Sequence, residues 1–274
     1  MNIGVINGLR PAKEEHIFDR VHELGLTTCQ VNIWDSLYYS QALANKVNAQ
    51  SKAMNVKPCA LWAGYCAPRE WNFTRGPITL GLVPREWRER RICELKKGAD
   101  FAKTIGVRAI ITHAGFLPEN MTDPEYKPVL RALTDIAEYC KSLGLEFWFE
   151  TGQETPVVLL RFIEDIGTGN VGINLDPANL LMYGKGNPID ALDVFGKYVH
   201  NVHVKDGLVP TDGHNLGREV QVGKGLVNYP VFIPKLRDLG FDGELIIERE
   251  IAEGPEQKRD ILETVENLKK WWNS

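Results

Sequence analysis

Apolar and polar positions along the chain follow two rhythms that take turns. Short apolar runs at residues 3–6, 27–33, 57–62, 107–112, 145–150, 171–176, 199–204 and 244–248 have the length and composition of buried strands. Between them lie longer stretches with apolar residues at helical spacing, punctuated by proline at the start and glycine at the end. Pro11 is expected to open a helix that runs to Leu24 and stops at Gly25, and Ser36 to cap one reaching about Asn55. Pro84 starts a charged helix through Ile105, ended by Gly106, and a helix from about Pro124 to Leu143 ends at Gly144. Thr155-Pro156 caps the next, which Gly167 closes; Asn187-Pro188 opens one to about Lys197. The last two cover about 229–239 and Pro255 to Trp272. Two connections stand apart: residues 63–83, which hold Trp71 and Phe73, and the glycine-rich residues 207–227. Loops of that length are usually functional or disordered.

Eight strands alternating with eight helices predict a parallel sheet. Eight such units in 274 residues, with no compositional break to mark a linker, favour an α/β fold in which residues 1–274 form a single (β/α)8 TIM barrel. Residues 63–83 are expected to cover its active end. The 43% hydrophobic content supports a substantial core. A net charge of −4 supplies no broad basic surface, which argues against a nucleic-acid partner. No apolar run approaches membrane-spanning length, and no basic region followed by a long apolar stretch marks a signal peptide. Cys29, Cys59, Cys66, Cys93 and Cys140 are odd in number and lack C-x-x-C spacing, which predicts reduced thiols and a cytoplasmic location. A homo-oligomer is left open.

The chemistry collects at the strand ends. Four successive apolar strands finish on Glu150, Asp176, His203 and Glu248, and alternation puts these on the faces of Trp148, Asn174 and Asn201 for the first three. If those faces point into the barrel, three carboxylates and an imidazole converge, and three carboxylates cannot all stay charged there without a cation. One such acid alone reads as a salt-bridge partner on the rim; four at matching strand ends read as a site. An oxygen-rich set with one histidine suits one divalent ion, Mn²⁺, Mg²⁺ or Zn²⁺, and the donor list alone does not choose among them, although Mn²⁺ is the ion expected. Glu250 shares the parity of Glu248, but Glu248 directly ends the apolar run and is taken as the ligand.

These motifs resemble the xylose-isomerase-like TIM barrels, in particular the sugar-phosphate isomerase/epimerase group that includes ketose 3-epimerases and L-ribulose-5-phosphate 3-epimerase. The matching segments are Glu-Thr-Gly-Gln-Glu at 150–154, Asn-Leu-Asp-Pro-Ala-Asn-Leu at 174–180 and His-Val-Lys-Asp at 203–206, followed by Val-Gly-Lys-Gly at 222–225 and Ile-Ile-Glu-Arg-Glu at 246–250. The resemblance implies that Glu150, Asp176, His203 and Glu248 are metal ligands and that Glu150 and Glu248 double as the acid/base pair. Many non-phosphorylated ketose epimerases of the group carry histidine three residues after the ligand aspartate; Asn179 stands here, as in several phosphosugar relatives, which tells against a free ketose. The implied substrate is a small sugar or sugar phosphate, and the implied chemistry passes through an enediolate by carboxylate proton transfer.

Further substrate contacts are expected from His113 at the end of strand four, from Lys205 on the face of His203, and from Asn179. Arg218 resembles a substrate-binding arginine of the epimerases. Glu154 is set either against a substrate hydroxyl or at the positive start of the next helix. Trp62, with Trp34 and Trp71, is expected to wall the pocket. Competing readings are a lyase resembling inosose dehydratase, in which the enolate expels a hydroxyl, and a non-catalytic sugar-binding barrel. A barrel related to endonuclease IV fits less well, because its three-zinc cluster is rich in histidine and only six histidines occur here.

Overall fold

The computed structural model describes residues 1–10 and 13–274. Strands β1 (Asn2–Gly8), β2 (Thr28–Ile33), β3 (Lys57–Ala63), β4 (Ala109–Thr112), β5 (Glu146–Glu150), β6 (Val171–Leu175) and β7 (Val199–Val204) come first. A two-stranded ribbon, β8 (Asp206–Gly207) and β9 (Glu219–Val220), precedes the last strand, β10 (Glu244–Ile247). All strands except the ribbon pair in parallel and close a barrel in the order β1-β10-β7-β6-β5-β4-β3-β2. Closure is made by β1, where Val5 lies opposite Cys29 on one side and Ile247 on the other.

Strand alternation sorts the side chains into two layers. Leu61, Ile110, Phe147, Ile173, Val202 and Ile247 face the helices and join the main core. Trp62, Ile111, Trp148 and Ile246 point inward and pack together as a small apolar plug. The outer ring is built by α1 (Asp19–Glu23), α2 (Gln41–Met54), α3 (Gly76–Thr79), α4 (Arg85–Ile105), α5 (Tyr126–Ser142), α6 (Pro156–Ile166), α7 (Pro177–Met182), α8 (Pro188–Phe195), α9 (Tyr229–Asp238) and α10 (Pro255–Trp272). Local signals place many of their ends. Thr155 caps α6 by accepting from the Val158 amide, with Pro156 in the first turn and Gly167 in the left-handed conformation at the far end.

Among the differences from the sequence expectation, three have a clear physical reason. Pro11 lies outside the described residues, and the first helix begins only at Asp19. The backbone just before it is held by tertiary contacts: the Asn7 side chain donates to the Ile17 carbonyl at 2.7 Å, and the Ile17 amide donates to Gln50 at 2.8 Å. Those bonds take the groups a helix would use. Ser36 does not cap α2. Asp35 caps a single 3-10 turn over Ser36–Tyr38, Tyr39 is extended, and Ser40 caps the helix by accepting from Leu43. Finally, β6 stops at Leu175 because Asp176 caps an unforeseen short helix, α7, with Pro177 in its first turn.

Candidate metal and catalytic site

The carboxyl ends of β5, β6, β7 and β10 bring Glu150, Asp176, His203 and Glu248 together, with one ligand atom of each within 4.8 Å of the others. His203 Nδ1 stands at the centre, 3.0 Å from Glu150 Oε1, 3.1 Å from Glu248 Oε2 and 4.0 Å from Asp176 Oδ2. Its orientation comes from below. His203 Nε2 lies 2.9 Å from Gln30 Oε1, which also accepts from Asn201 at 3.2 Å; Asn201 donates in turn to Asn174 at 2.6 Å. The Gln30 carbonyl calls for a donor, so the Nε2 proton points down and Nδ1 faces the carboxylates. This ladder of amides is buried inside the barrel.

The electrostatics of the cluster are strained by burial. Asp176 is pushed up to about 8, because burial penalises its charge more than Lys205 favours it. Burial also opposes charging His203, yet the Glu150 and Glu248 carboxylates outweigh it and lift the ring to about 10. Glu248 feels the same burial, but Lys205 and His203 hold it well below the ordinary carboxylate range. Glu150 is likewise buried and held below its ordinary value by His113 and His203. Asp176 Oδ2 and Glu248 Oε2 are buried and make no hydrogen bond. Buried polar atoms without partners are uncommon. Two such oxygens beside two further anionic or imidazole ligands are a donor set that fits a divalent cation.

Above the cluster lies a cavity of about 290 Å³ that is lined by Glu150, His203, Glu248, Asn179, His113, Lys205 and Trp62, among others. Such a volume is at the small end of ligand pockets, which run roughly 300–1,000 Å³. His113 Nε2 is 3.3 Å from Glu150 Oε2, and the Trp62 indole donates to the same oxygen. Trp34 packs on Trp62 with ring centroids 4.3 Å apart, and Trp71 packs on His113 at 4.9 Å. Phe73, the other aromatic singled out in residues 63–83, contacts Tyr183 edge-on. Asn179 donates through its backbone amide to Asp176 and through its side chain to the Thr151 carbonyl. Lys205 Nζ reaches Asp176 Oδ2 and Glu248 Oε2, both at 3.6 Å, and Glu250 Oε2 at 2.8 Å. Glu250 therefore pairs with Lys205 and stays out of the four-ligand cluster.

Two expected contacts stand elsewhere. Arg218 is exposed and does not line the cavity; its backbone carbonyl accepts from Leu208 across the ribbon's end. It immediately precedes β9, which begins at Glu219. Glu154 is buried but also absent from the lining, and neither carboxylate oxygen has a hydrogen-bond partner. Burial pushes it up to about 8. The Val-Gly-Lys-Gly segment serves the fold. Asp206 accepts from the amides of Gly207, Gly223, Gly225 and Val227 at 2.9–3.1 Å, and at Gly225 any Cβ would collide with the Asp206 carboxylate.

Several residues of the site were not singled out from the sequence. Gln30 and Asn32 sit at alternate positions of an otherwise apolar strand, and that alternation was the available signal. Met182, Tyr183 and Leu216 reach the cavity from α7 and its neighbours. No local pattern marks them, because a fold contact brings them there.

Comparison with known proteins places this fold among barrels of one kind. The sequence model described as xylose isomerase-like TIM barrel matches residues 18–271. The crystal structure of a xylose isomerase domain protein from Planctomyces limnophilus is 34% identical, with a TM-score of 0.91, covering 98% of this chain and 96% of that one. A D-tagatose 3-epimerase-like protein shares the fold at 19% identity and a TM-score of 0.75, covering 100% and 98% of the two chains. An uncharacterised protein of Methanocaldococcus jannaschii is 25% identical over 166 residues, a stretch that spans 56% of this chain and only 54% of that relative.

Proposed function

Because the chain belongs to the xylose isomerase-like TIM barrel family, we propose that it is a divalent-metal-dependent sugar epimerase or isomerase that works through an enediolate. The observation that carries this reading is the set of four ligand atoms within 4.8 Å, two of them buried oxygens without a hydrogen bond, beneath a small cavity. Glu150, Asp176, His203 and Glu248 would hold the ion, and Mn²⁺ is the first to test, ahead of Mg²⁺ and Zn²⁺. When bound, such an ion polarises a carbonyl and its neighbouring hydroxyl and so acidifies the C–H between them.

The chain's own groups supply the proton transfers. Glu150 Oε2 is held by the Trp62 indole and lies beside His113, which orient it toward the cavity. Glu248 stands just past the end of β10, a strand separated from β5 by β6 and β7 in the barrel. We assign Glu150 and Glu248 to opposite faces of the substrate: one carboxylate removes the proton and the other returns one, giving inversion at that carbon. Lys205, His113, Asn179 and Trp62 contact the substrate in this reading, and residues 63–83 act as a cover that limits water at the enediolate through Trp71. The D-tagatose 3-epimerase-like neighbour supports a sugar as the substrate class. Among the described residues no helix is long and apolar enough to cross a membrane, and all five cysteines are free thiols, which supports action in a reducing compartment, the cytoplasm.

The test combines metal content with isotope exchange. Asp176→Ala should lose stoichiometric Mn²⁺ by elemental analysis, and unchanged metal content in that variant would sink the ligand assignment. Glu150→Gln and Glu248→Gln, checked for full metal occupancy, should each lose turnover of a ketose in D₂O. Wild-type turnover in either variant would refute the two-carboxylate reading.

A further inference from the structure

We infer, against the expectation drawn from Asn179, that the substrate of this site is an uncharged sugar and that Glu250 sets this preference by holding Lys205; the inference rests on the enediolate reading above. A phosphorylated substrate needs a cradle of amides, lysine or arginine for its dianion. The groups that could form one are engaged elsewhere. The glycine-rich segment beside the mouth has its amides turned away, since those of Gly207, Gly223, Gly225 and Val227 all donate to Asp206. Arg218 is exposed outside the lining, and among the described residues no arginine lines the cavity.

Lys205 is the one lysine of the lining, and it is spoken for. Its ammonium lies 2.8 Å from Glu250 and 3.6 Å from both Asp176 and Glu248. Four carboxylates stand around Lys205 and its neighbour His203: Asp176, Glu248 and Glu250 beside the ammonium, and Glu150 beside the ring. One ammonium and one divalent ion still leave them with net negative charge, and an added phosphate dianion would meet like charge at close range. The rest of the wall suits a neutral polyol. Trp34, Trp62 and Trp71 offer faces for the C–H side of a sugar. Asn179 and the Glu250 carboxylate at the mouth offer acceptors for hydroxyl donors. Glu250 is not one of the four clustered ligands and is about half exposed, so it can be changed without removing a ligand.

Metal-loaded protein should be incubated in D₂O with matched pairs, D-fructose with D-fructose 6-phosphate and D-xylulose with D-xylulose 5-phosphate. Binding of the same sugars and of inorganic phosphate should be followed in parallel by tryptophan fluorescence. The expected result is carbon-bound deuterium with kcat/KM about tenfold or more higher for a neutral member than for its phosphorylated partner. Inorganic phosphate should leave the fluorescence unchanged, and Glu250→Gln should narrow the ratio by freeing Lys205 for an anion. Equal or better exchange with a phosphorylated member overturns the inference and leaves the enediolate reading standing. Exchange with no sugar overturns the enediolate reading, and fluorescence then decides this inference: sugars that bind only in their neutral forms support it, while preferential binding of the phosphorylated forms, or of neither, overturns it.

Discussion

Two long connections border the mouth of the barrel, and the buried charges that gather the most backbone groups of each, Arg91 and Asp206, are of opposite sign. Residues 64–84 are latched from α4. Arg91, fully buried, donates to the carbonyls of Gly81 at 2.6 Å, Pro68 at 2.7 Å and Cys66 at 3.2 Å, and lies over the Tyr65 ring. The Tyr65 hydroxyl accepts from the Gly81 amide, and Glu94, one turn further along α4, accepts from the Cys66 amide. Residues 207–227 are latched from the strand end, where Asp206 collects four amides. A guanidinium has only donors and so gathers carbonyls; a carboxylate has only acceptors and so gathers N–H groups. The difference teaches where each loop can be disturbed. Arg91 acts from the outer ring, far in sequence from the four-ligand cluster. Asp206 follows Lys205 directly, so its loss reaches the cavity through the backbone.

The largest effect should come from the carboxylate latch. Asp206→Ala strands four amides, and buried N–H groups are left unpaired less readily than carbonyls. A loss of about 3–5 kcal/mol is expected from urea unfolding, with new proteolytic cleavage within residues 208–218 and Asp206→Asn falling between the two. Loss of stability without any change at that loop would contradict the latch. Arg91→Met should cost less, about 2–3 kcal/mol, because its carbonyls can turn toward water. Its signature is local: Trp71 should become more accessible to acrylamide, and KM should rise more than kcat falls.

A third expectation contrasts Asp206 with Glu154, an equally buried carboxylate with no hydrogen-bond partner at either oxygen. Burial raises Glu154 from an ordinary 4.5 to about 8. As pH rises, the unfolded chain therefore gives up this proton first, and stability falls between about pH 4.5 and 8. Asp176, raised from 3.8 to about 8, contributes with the same sign in the ion-free protein. Glu154→Gln should flatten part of that slope in thermal unfolding scanned over pH, and an unchanged slope would show that Glu154 does not carry it. The smallest stability effect should be that of Trp71→Ala, which removes a side chain already 37% exposed. Its cost should stay under about 1 kcal/mol, while KM for a turned-over sugar rises several-fold if the ring walls the pocket.

Much of this was readable along the chain, for reasons that can be given residue by residue. Alternation within the strands correctly placed Glu150 with Trp148, Asp176 with Asn174 and His203 with Asn201 on the inward faces, since the period of a strand is fixed by its covalent geometry. The helix from Pro255 to Trp272 and the Thr155–Gly167 caps were likewise local matters. The late start of α1, the displacement of the α2 cap from Ser36 to Ser40, and the appearance of α7 were not foreseen. In the first, side chains from β1 and α2 claimed the backbone; in the second, Asp35 captured the turn before Ser36 could; in the third, Asp176 took a capping role together with its place in the cluster.

By itself, the sequence determined the order of the eight barrel strands and of the main helices between them, and which four side chains reach the strand ends, because these follow from short-range periodicity and chain geometry. Only the tertiary structure decided which polar groups those side chains meet. Gln30 beneath His203, Glu250 across from Lys205 and the four amides on Asp206 all depend on tertiary closure rather than on neighbouring residues. The physical reason is that a buried charge or proton donor must find its partner in space, and that partner is chosen by closure of the barrel rather than by the residues beside it.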